Sequence, residues 1–261
     1  MMWLWVILCS AALGSFANVM IYRLPLMILT EDGESKVNLA LPASHCPNCL
    51  TPLKWWHNMP LLSFILLRRR CAICHASIAW RYFIVELGTI LLAVLCIWQW
   101  GWTLSALAYF VFLYFLWTLA WIDALSFLLP DALTLLLLWL GLLYHAMFVP
   151  ARLADAVFAA AFGYALLYVV YTLHHALTGR QGLGFGDMKL LAAIGAWLGV
   201  AAIANVLIVA CVLAFGYVIF LKIKIKQLHG RMVPFGPFLV AAAALVLVTE
   251  FDFGRWLVGY L

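Results

Sequence analysis

Residues 202–221 read AIANVLIVACVLAFGYVIFL, twenty positions without one charged side chain. A bilayer's hydrocarbon core is about 30 Å thick, and about 20 apolar residues of helix cross it. No water inside receives backbone N–H and C=O groups, so the segment must pair them itself, as an α-helix does. The stretch reads as a transmembrane helix, and the rest of the chain agrees. Of the 261 residues, 68% are apolar and 10% charged, against about 45–50% and about 25% in soluble domains. Seven further stretches qualify, at about 3–22, 83–100, 103–122, 132–149, 155–173, 187–200 and 234–251. The stretch 187–200 is the shortest. The first begins at Met1 with no basic segment and no small-residue cleavage site, so it reads as a retained helix and not a signal peptide. The predicted fold is an all-α polytopic membrane protein of about eight transmembrane helices, with one small polar loop domain at 23–82.

Orientation follows from the basic residues. With the 23–82 loop in the cytoplasm, eight spans place 174–189 and 222–233 on the same side. Thirteen of the fifteen Lys and Arg then lie there, leaving Arg152 and Arg255 opposite. Basic residues concentrate in cytoplasmic loops, so both chain ends are expected on the non-cytoplasmic side. The net charge of +5 lies beside an anionic leaflet and requires no nucleic-acid partner.

The loop carries Cys46-Pro-Asn-Cys49 and Cys71-Ala-Ile-Cys74, a C-x2-C-x21-C-x2-C pattern. Each CxxC turn offers two thiolates to one tetrahedral ion, and two turns close its shell, as in structural zinc sites. The alternative is two disulfides, which rarely persist in a reducing cytoplasm. His45 and His75 adjoin the pairs as substitute ligands that four Cys make unnecessary. A loop of about 60 residues builds little core, so a metal staple suits it. Trp55, Trp56, Arg68, Arg69 and Arg70 lie between the pairs. They read as an interfacial aromatic and basic fringe, with a ligand pocket as the alternative. Cys9, Cys96 and Cys211 fall inside spans and read as small packing residues.

Ten residues are acidic. Glu31, Asp32 and Glu34 are in the loop, and Asp155, Glu250 and Asp252 lie near the opposite membrane face. Glu86, Asp123, Asp131 and Asp187 remain, and the topology brings the three aspartates, from separate spans, to one membrane depth. A boundary acid is a candidate functional group. Asp131 follows Pro130 and reads as the N-cap of its helix. Asp187 also opens a helix, whose N-terminus favours its charge. Asp123 ends a helix, where the macrodipole disfavours an anion, so a structural role suits it poorly. Two facing carboxylates cannot both ionise easily; one holds a proton while the other accepts one. Asp123 and Asp187 therefore form a candidate acid–base pair of the aspartic-peptidase kind. Gly182, Gly184 and Gly186 leave room for an extended peptide beside Asp187, or else form a hinge between spans.

These residues together resemble the type IV prepilin peptidases, the leader peptidases and N-methyltransferases of type IV pilus and type II secretion systems. The similarity runs through Gly14-Ser-Phe-Ala-Asn-Val-Met-Ile-Tyr-Arg-Leu-Pro25, both CxxC pairs, Asn58-Met-Pro60 with Ser63, and Arg81-Tyr-Phe-Ile-Val-Glu86-Leu. It continues through Ile122-Asp123, Leu129-Pro130-Asp131, Leu133-Thr134, Gly184-Phe-Gly-Asp187-Met-Lys189-Leu and Val233-Pro-Phe-Gly-Pro237. Ala17, Met59 and the pair Ala72-Ile73 depart from the commoner residues and touch neither the candidate ligands nor the acids. The resemblance implies that Asp123 and Asp187 cleave, on the cytoplasmic side of the bacterial inner membrane, after the glycine ending a short basic leader of a prepilin or pseudopilin. It implies that the new N-terminal residue, usually Phe, is then methylated by S-adenosylmethionine. The implied division is a first helix at 1–22, a methyltransferase-associated zinc loop at 23–82 and a peptidase domain at 83–261. No G-x-G-x-x-G fingerprint is present, so a methyl-donor site is expected from the loop and the neighbouring helix ends. Glu86 is the candidate there; alternatively it is a packing acid paired with Arg81 or Lys189. The rival reading is a proton-coupled transporter with a regulatory zinc knuckle, which would want its acids near the midplane of a broken helix.

Overall fold

The computed structural model describes residues 1–30, 38–46, 48–54, 56, 59–179, 182, 184–225 and 233–249. Glu31, Asp32, Glu34, Lys36, Trp55, Asn58, Arg180, Lys226, Arg231, Glu250, Asp252 and Arg255 lie outside the described residues. The described helices are α1 (Met2–Leu29), α2 (Leu62–Leu66), α3 (Trp80–Trp100), α4 (Leu104–Ser126), α5 (Asp131–Phe148), α6 (Leu153–Thr178), α7 (Phe185–Leu198), α8 (Val200–Ile225) and α9 (Gly236–Thr249). Among the described residues, six helices are long and apolar enough to cross a membrane. The other two expected spans are α7 and α9, of fourteen residues each, about 21 Å of helix at 1.5 Å per residue.

The chain divides into two compact units at Thr118, within α4. In the first unit α1 packs along α3. A Cβ on Gly14 would fall 2.8 Å from the Cα of Glu86, so the two backbones touch where only glycine fits. Asn18 Nδ2 donates to the Tyr82 carbonyl at 3.1 Å, and Tyr114 Oη donates to the Leu13 carbonyl at 3.0 Å. Helix α1 continues to Leu29, past the expected end at 22, with Pro25 inside its last turns. Arg23, in those last turns, is buried, and its guanidinium donates to the carbonyls of Asn38, Leu39 and Pro42. Residues 38–42 of the polar loop thus lie against the end of α1.

In the second unit α7 is central, with α5, α6, α8 and α9 packed against it. Ten of its fourteen residues are buried. Gly195 lets α6 approach closely, since a Cβ there would lie 2.7 Å from the Ala159 carbonyl oxygen; small residues serve this purpose between membrane helices. Trp197 Nε1 donates to the Leu137 carbonyl at 2.8 Å and ties α7 to α5. Protein surrounds α7, so a short helix bearing two charged residues need not meet lipid with them. Asp155, expected near the other face, accepts the Val200 N–H at 3.3 Å, at the start of α8.

Candidate aspartate pair and cysteine cluster

Asp123 lies in the last turn of α4 and is 5% exposed. Its Oδ2 accepts the Gly236 N–H at 3.0 Å. Gly236 is the first residue of α9, so the carboxylate faces the positive end of another helix. That resolves the difficulty of an anion at a helix C-terminus. A Cβ on Gly236 would sit 2.6 Å from Asp123 Oδ2 and 3.1 Å from its Cγ, so the contact requires glycine. Gly236 had no assigned role in the sequence; the signal was a glycine between two prolines, Pro234 and Pro237, at the mouth of a span.

Asp187 is the third residue of α7 and is 8% exposed. Its N–H donates to the Gly184 carbonyl at 3.2 Å. Its Oδ1 is buried and has no hydrogen-bond partner among the described residues. The second unit thus holds two buried carboxylates, Asp123 with one oxygen fixed by a backbone donor and Asp187 with one oxygen open. Of the flanking glycines, Gly184 lies beside Asp187, with its Cβ direction 3.3 Å from Oδ2. Gly186 faces inward, where a Cβ would meet Leu129 at 2.7 Å, and Gly182 faces the His174 ring.

Asp131 does not cap its helix. The N-cap is Pro130, and Asp131 is the first helical residue. With helical backbone angles there, its side chain is free to reach outward, and both its oxygens accept from Lys189 Nζ, at 2.6 and 2.7 Å. Lys189 is two residues after Asp187, so this ion pair and the Leu129–Gly186 contact hold the start of α7 against the start of α5.

The four cysteines converge as expected. Their Sγ atoms all lie within 4.8 Å of one another, and Cys46 and Cys74 are 3.8 Å apart. Zinc–sulfur bonds of about 2.3 Å place tetrahedral sulfurs about 3.8 Å apart, so the set fits zinc. The two turns repeat one hydrogen-bond pattern. Cys46 N–H donates to Thr51 O and Leu50 N–H to Cys46 O, and Cys71 N–H donates to Ala76 O and His75 N–H to Cys71 O. Leu50 and His75 occupy the same left-handed position, with φ of 56° and 58°. Backbone bridges His45–Pro52 and Arg70–Ser77 close the two turns. The hydroxyl and N–H of Thr51 pull the Cys49 thiol down to about 6, and the Ile73 and Cys74 N–H groups lower that of Cys71. Amide donors aimed at sulfur favour thiolates, the form that binds a metal.

Glu86 is 9% exposed on α3, and its Oε2 accepts the Leu61 N–H at 2.8 Å, just before α2. The Arg81 guanidinium instead lies over the Tyr82 ring, 4.9 Å from its centroid, and Lys189 is taken by Asp131.

Residues 8–100 match the bacterial Peptidase A24 N-terminal domain, and residues 110–219 match the type IV leader peptidase family. A Neisseria gonorrhoeae protein named prepilin leader peptidase/N-methyltransferase is 38% identical over 254 residues, covering 91% of this chain and 87% of its own. Proteins of the same name from Pseudomonas aeruginosa and Legionella pneumophila are 38% and 36% identical. Those two alignments cover 93% and 99% of this chain, and 88% and 95% of the relatives. No solved structure matches.

Proposed function

Because this chain belongs to the type IV leader peptidase family, we propose that it removes the leader of a type IV prepilin or pseudopilin with Asp123 and Asp187, and then N-methylates the new N-terminus. The observation that carries the peptidase half is the pair itself: two buried acids, one held by a helix-terminal N–H and one with an open oxygen. Asp123, facing Gly236 N–H, serves as the carboxylate that takes a proton from water. The water oxygen attacks the scissile carbonyl, and Asp187 gives its proton to the leaving nitrogen as the C–N bond breaks. Gly184 leaves the space through which the extended leader approaches. Family membership sets the transporter reading aside.

S-adenosylmethionine would supply the methyl group, and the N-terminal amine left by cleavage would receive it. Glu86 is assigned to that second step. Cys46, Cys49, Cys71 and Cys74 would hold zinc as a closed structural shell, which leaves no position for catalytic water. The basic-residue asymmetry supports an inner-membrane protein with the cut on the cytoplasmic side and both ends opposite. The test is incubation of the purified protein with a prepilin, followed by mass spectrometry. A shortened chain carrying one added methyl is expected. An unprocessed prepilin would refute the proposal.

A further inference from the structure

A cavity of about 410 Å³ opens beside α2, lined by Phe64, Ile65, Arg68, Arg69, Trp80 and Phe83. We infer that it holds the headgroup of an anionic phospholipid of the cytoplasmic leaflet, with the phosphate on Arg68 and Arg69 and an acyl chain running along α3. The inference rests on the membrane orientation proposed above and on neither catalytic step.

The charge of the cavity selects its ligand. Two arginines line it, and among the described residues no acid does, so an anion is favoured. Guanidinium forks match phosphate oxygens in pairs. A zwitterionic headgroup would add an ammonium with no carboxylate to receive it. The rings, for their part, exclude a flat ligand. The Phe64 plane is tilted 51° from Trp80 and 31° from Phe83, and Trp80 stands at 82° to Phe83. They share no face on which a planar heterocycle could stack. An uneven apolar wall of this kind suits glycerol and the first methylenes of a lipid.

The surface beyond the cavity supplies the acyl path. Trp80, Ile84, Leu87 and Leu91 follow at intervals of four, three and four residues along α3, which puts them on one helical face. All four are exposed. Trp80 both opens α3 and lines the cavity, so the stripe begins at the cavity and continues for about 17 Å of helix. Glu86 lies on the side of α3 that packs on α1, against Gly14, so it does not interrupt the stripe. Leu62, Ile65 and Leu66 of α2 are exposed as well. A free phosphate would leave this apolar surface uncovered, whereas a phospholipid covers it and fills the cavity together.

The backbone holds the two arginines over the start of α3. Arg68 and Arg69 both lie in the left-handed region, with φ of 47° and 61°, which residues with side chains seldom adopt. Their N–H groups donate to the Ile65 and Phe64 carbonyls, and the Arg69 carbonyl accepts the Ile78 N–H at 2.9 Å. The Arg69 guanidinium rests 5.3 Å from the Trp80 ring centroid. Strained positions of this kind gather where a side chain must be aimed. The basic-residue asymmetry sets this end of α3 in the cytoplasmic leaflet, where anionic headgroups lie.

The experiment is native mass spectrometry of the full chain in detergent micelles titrated with phosphatidylglycerol. The parent should retain one phosphatidylglycerol at concentrations where phosphatidylcholine is lost; equal retention of the two overturns the inference. Arg68→Gln and Arg69→Gln combined should weaken binding about 30-fold, at about fivefold for each arginine beside an anionic surface, with the parent's melting temperature retained. Arg70→Gln is the comparison, since Arg70 is exposed, next in sequence and outside the cavity, and it should bind as the parent does. Parental affinity in the double variant overturns the inference. So does an equal loss in Arg70→Gln, which would mean only general attraction to a basic surface. Displacement of the lipid by equimolar glycerol 3-phosphate, the anion without acyl chains, would make this a free-phosphate site and also overturn it. If the double variant does not fold, phosphatidylglycerol with a photoreactive acyl chain is cross-linked to the parent in nanodiscs. Label within residues 80–91 supports the site, and label confined elsewhere overturns it.

Discussion

Replacing Gly236 by alanine should damage leader cleavage without touching either acid. The added Cβ would lie 2.6 Å from Asp123 Oδ2, 3.1 Å from Cγ and 3.3 Å from Cβ of the same residue. Ordinary contact begins at 3.4 Å, so the carboxylate or the start of α9 must move by about 0.8 Å. Rotating the carboxylate about Cβ–Cγ does not clear the methyl, because Cγ stays at 3.1 Å, and rotating about Cα–Cβ clears it only by carrying the carboxylate away from the Gly236 N–H. The displacement also stretches the 3.0 Å hydrogen bond from Gly236 N–H. Hydrogen bonds to charged groups contribute about 1.5–3 kcal/mol, and a misplacement of about 1 Å costs about 100-fold in rate. The predicted fall in kcat/KM for a prepilin peptide is therefore about 10- to 100-fold. Gly184→Ala is the comparison: its Cβ would lie 3.3 Å from Asp187 Oδ2, needing a shift of only about 0.1 Å, and Gly184 has an ordinary φ of −79°. Its kcat should fall no more than about threefold, and any larger loss should appear in KM, because the added methyl narrows the leader's approach. Cleavage by Gly236→Ala at the rate of the parent would refute the role given to that N–H.

Four further expectations rest on other contacts. Lys189→Met should lower the melting temperature little, since a partly exposed ion pair contributes about 0.2–1 kcal/mol; cleavage should fall several-fold and return when Asp131 and Lys189 are exchanged, and no return would mean the pair does not position α7. Glu86→Gln should cleave a prepilin as the parent does yet methylate the product poorly; normal methylation by mass spectrometry would end its assignment. Removing the metal with a chelator should lower the melting temperature while a folded remainder still cleaves. In the metal-free protein the folded Cys49 thiol, near 6 instead of 9.0, stabilises the fold fully above about pH 9 and loses that contribution as pH falls through about 6. Iodoacetamide labelling of Cys49 should be half-maximal near pH 6, and at higher pH in Thr51→Ala.

Much of this arrangement was legible in the sequence because it rests on local rules. The CxxC spacing determines which sulfurs can share one ion, and the four converge. The apolar runs located the long helices. What stayed hidden depends on contacts between distant residues. Asp131 read as an N-cap because it follows proline at a helix start, yet Pro130 occupies that position and the carboxylate turns to Lys189, 58 residues away. Arg23 counted only as one more basic residue of the cytoplasmic side, and its burial against the carbonyls of Asn38 and Pro42 was not visible in that count. Gly236 lies 113 residues from the acid it serves, and a backbone N–H leaves no mark on a one-letter sequence. Gly186 read as room for a peptide, whereas its missing side chain is filled by Leu129.

The decisive comparison is cleavage of one prepilin by the parent, Asp123→Asn and Asp187→Asn, each assayed also for methylation of an already shortened peptide. If the two acids share the proton that cleavage needs, neither variant yields shortened prepilin and both still methylate the peptide. Cleavage by either variant at the parental rate would contradict the pair.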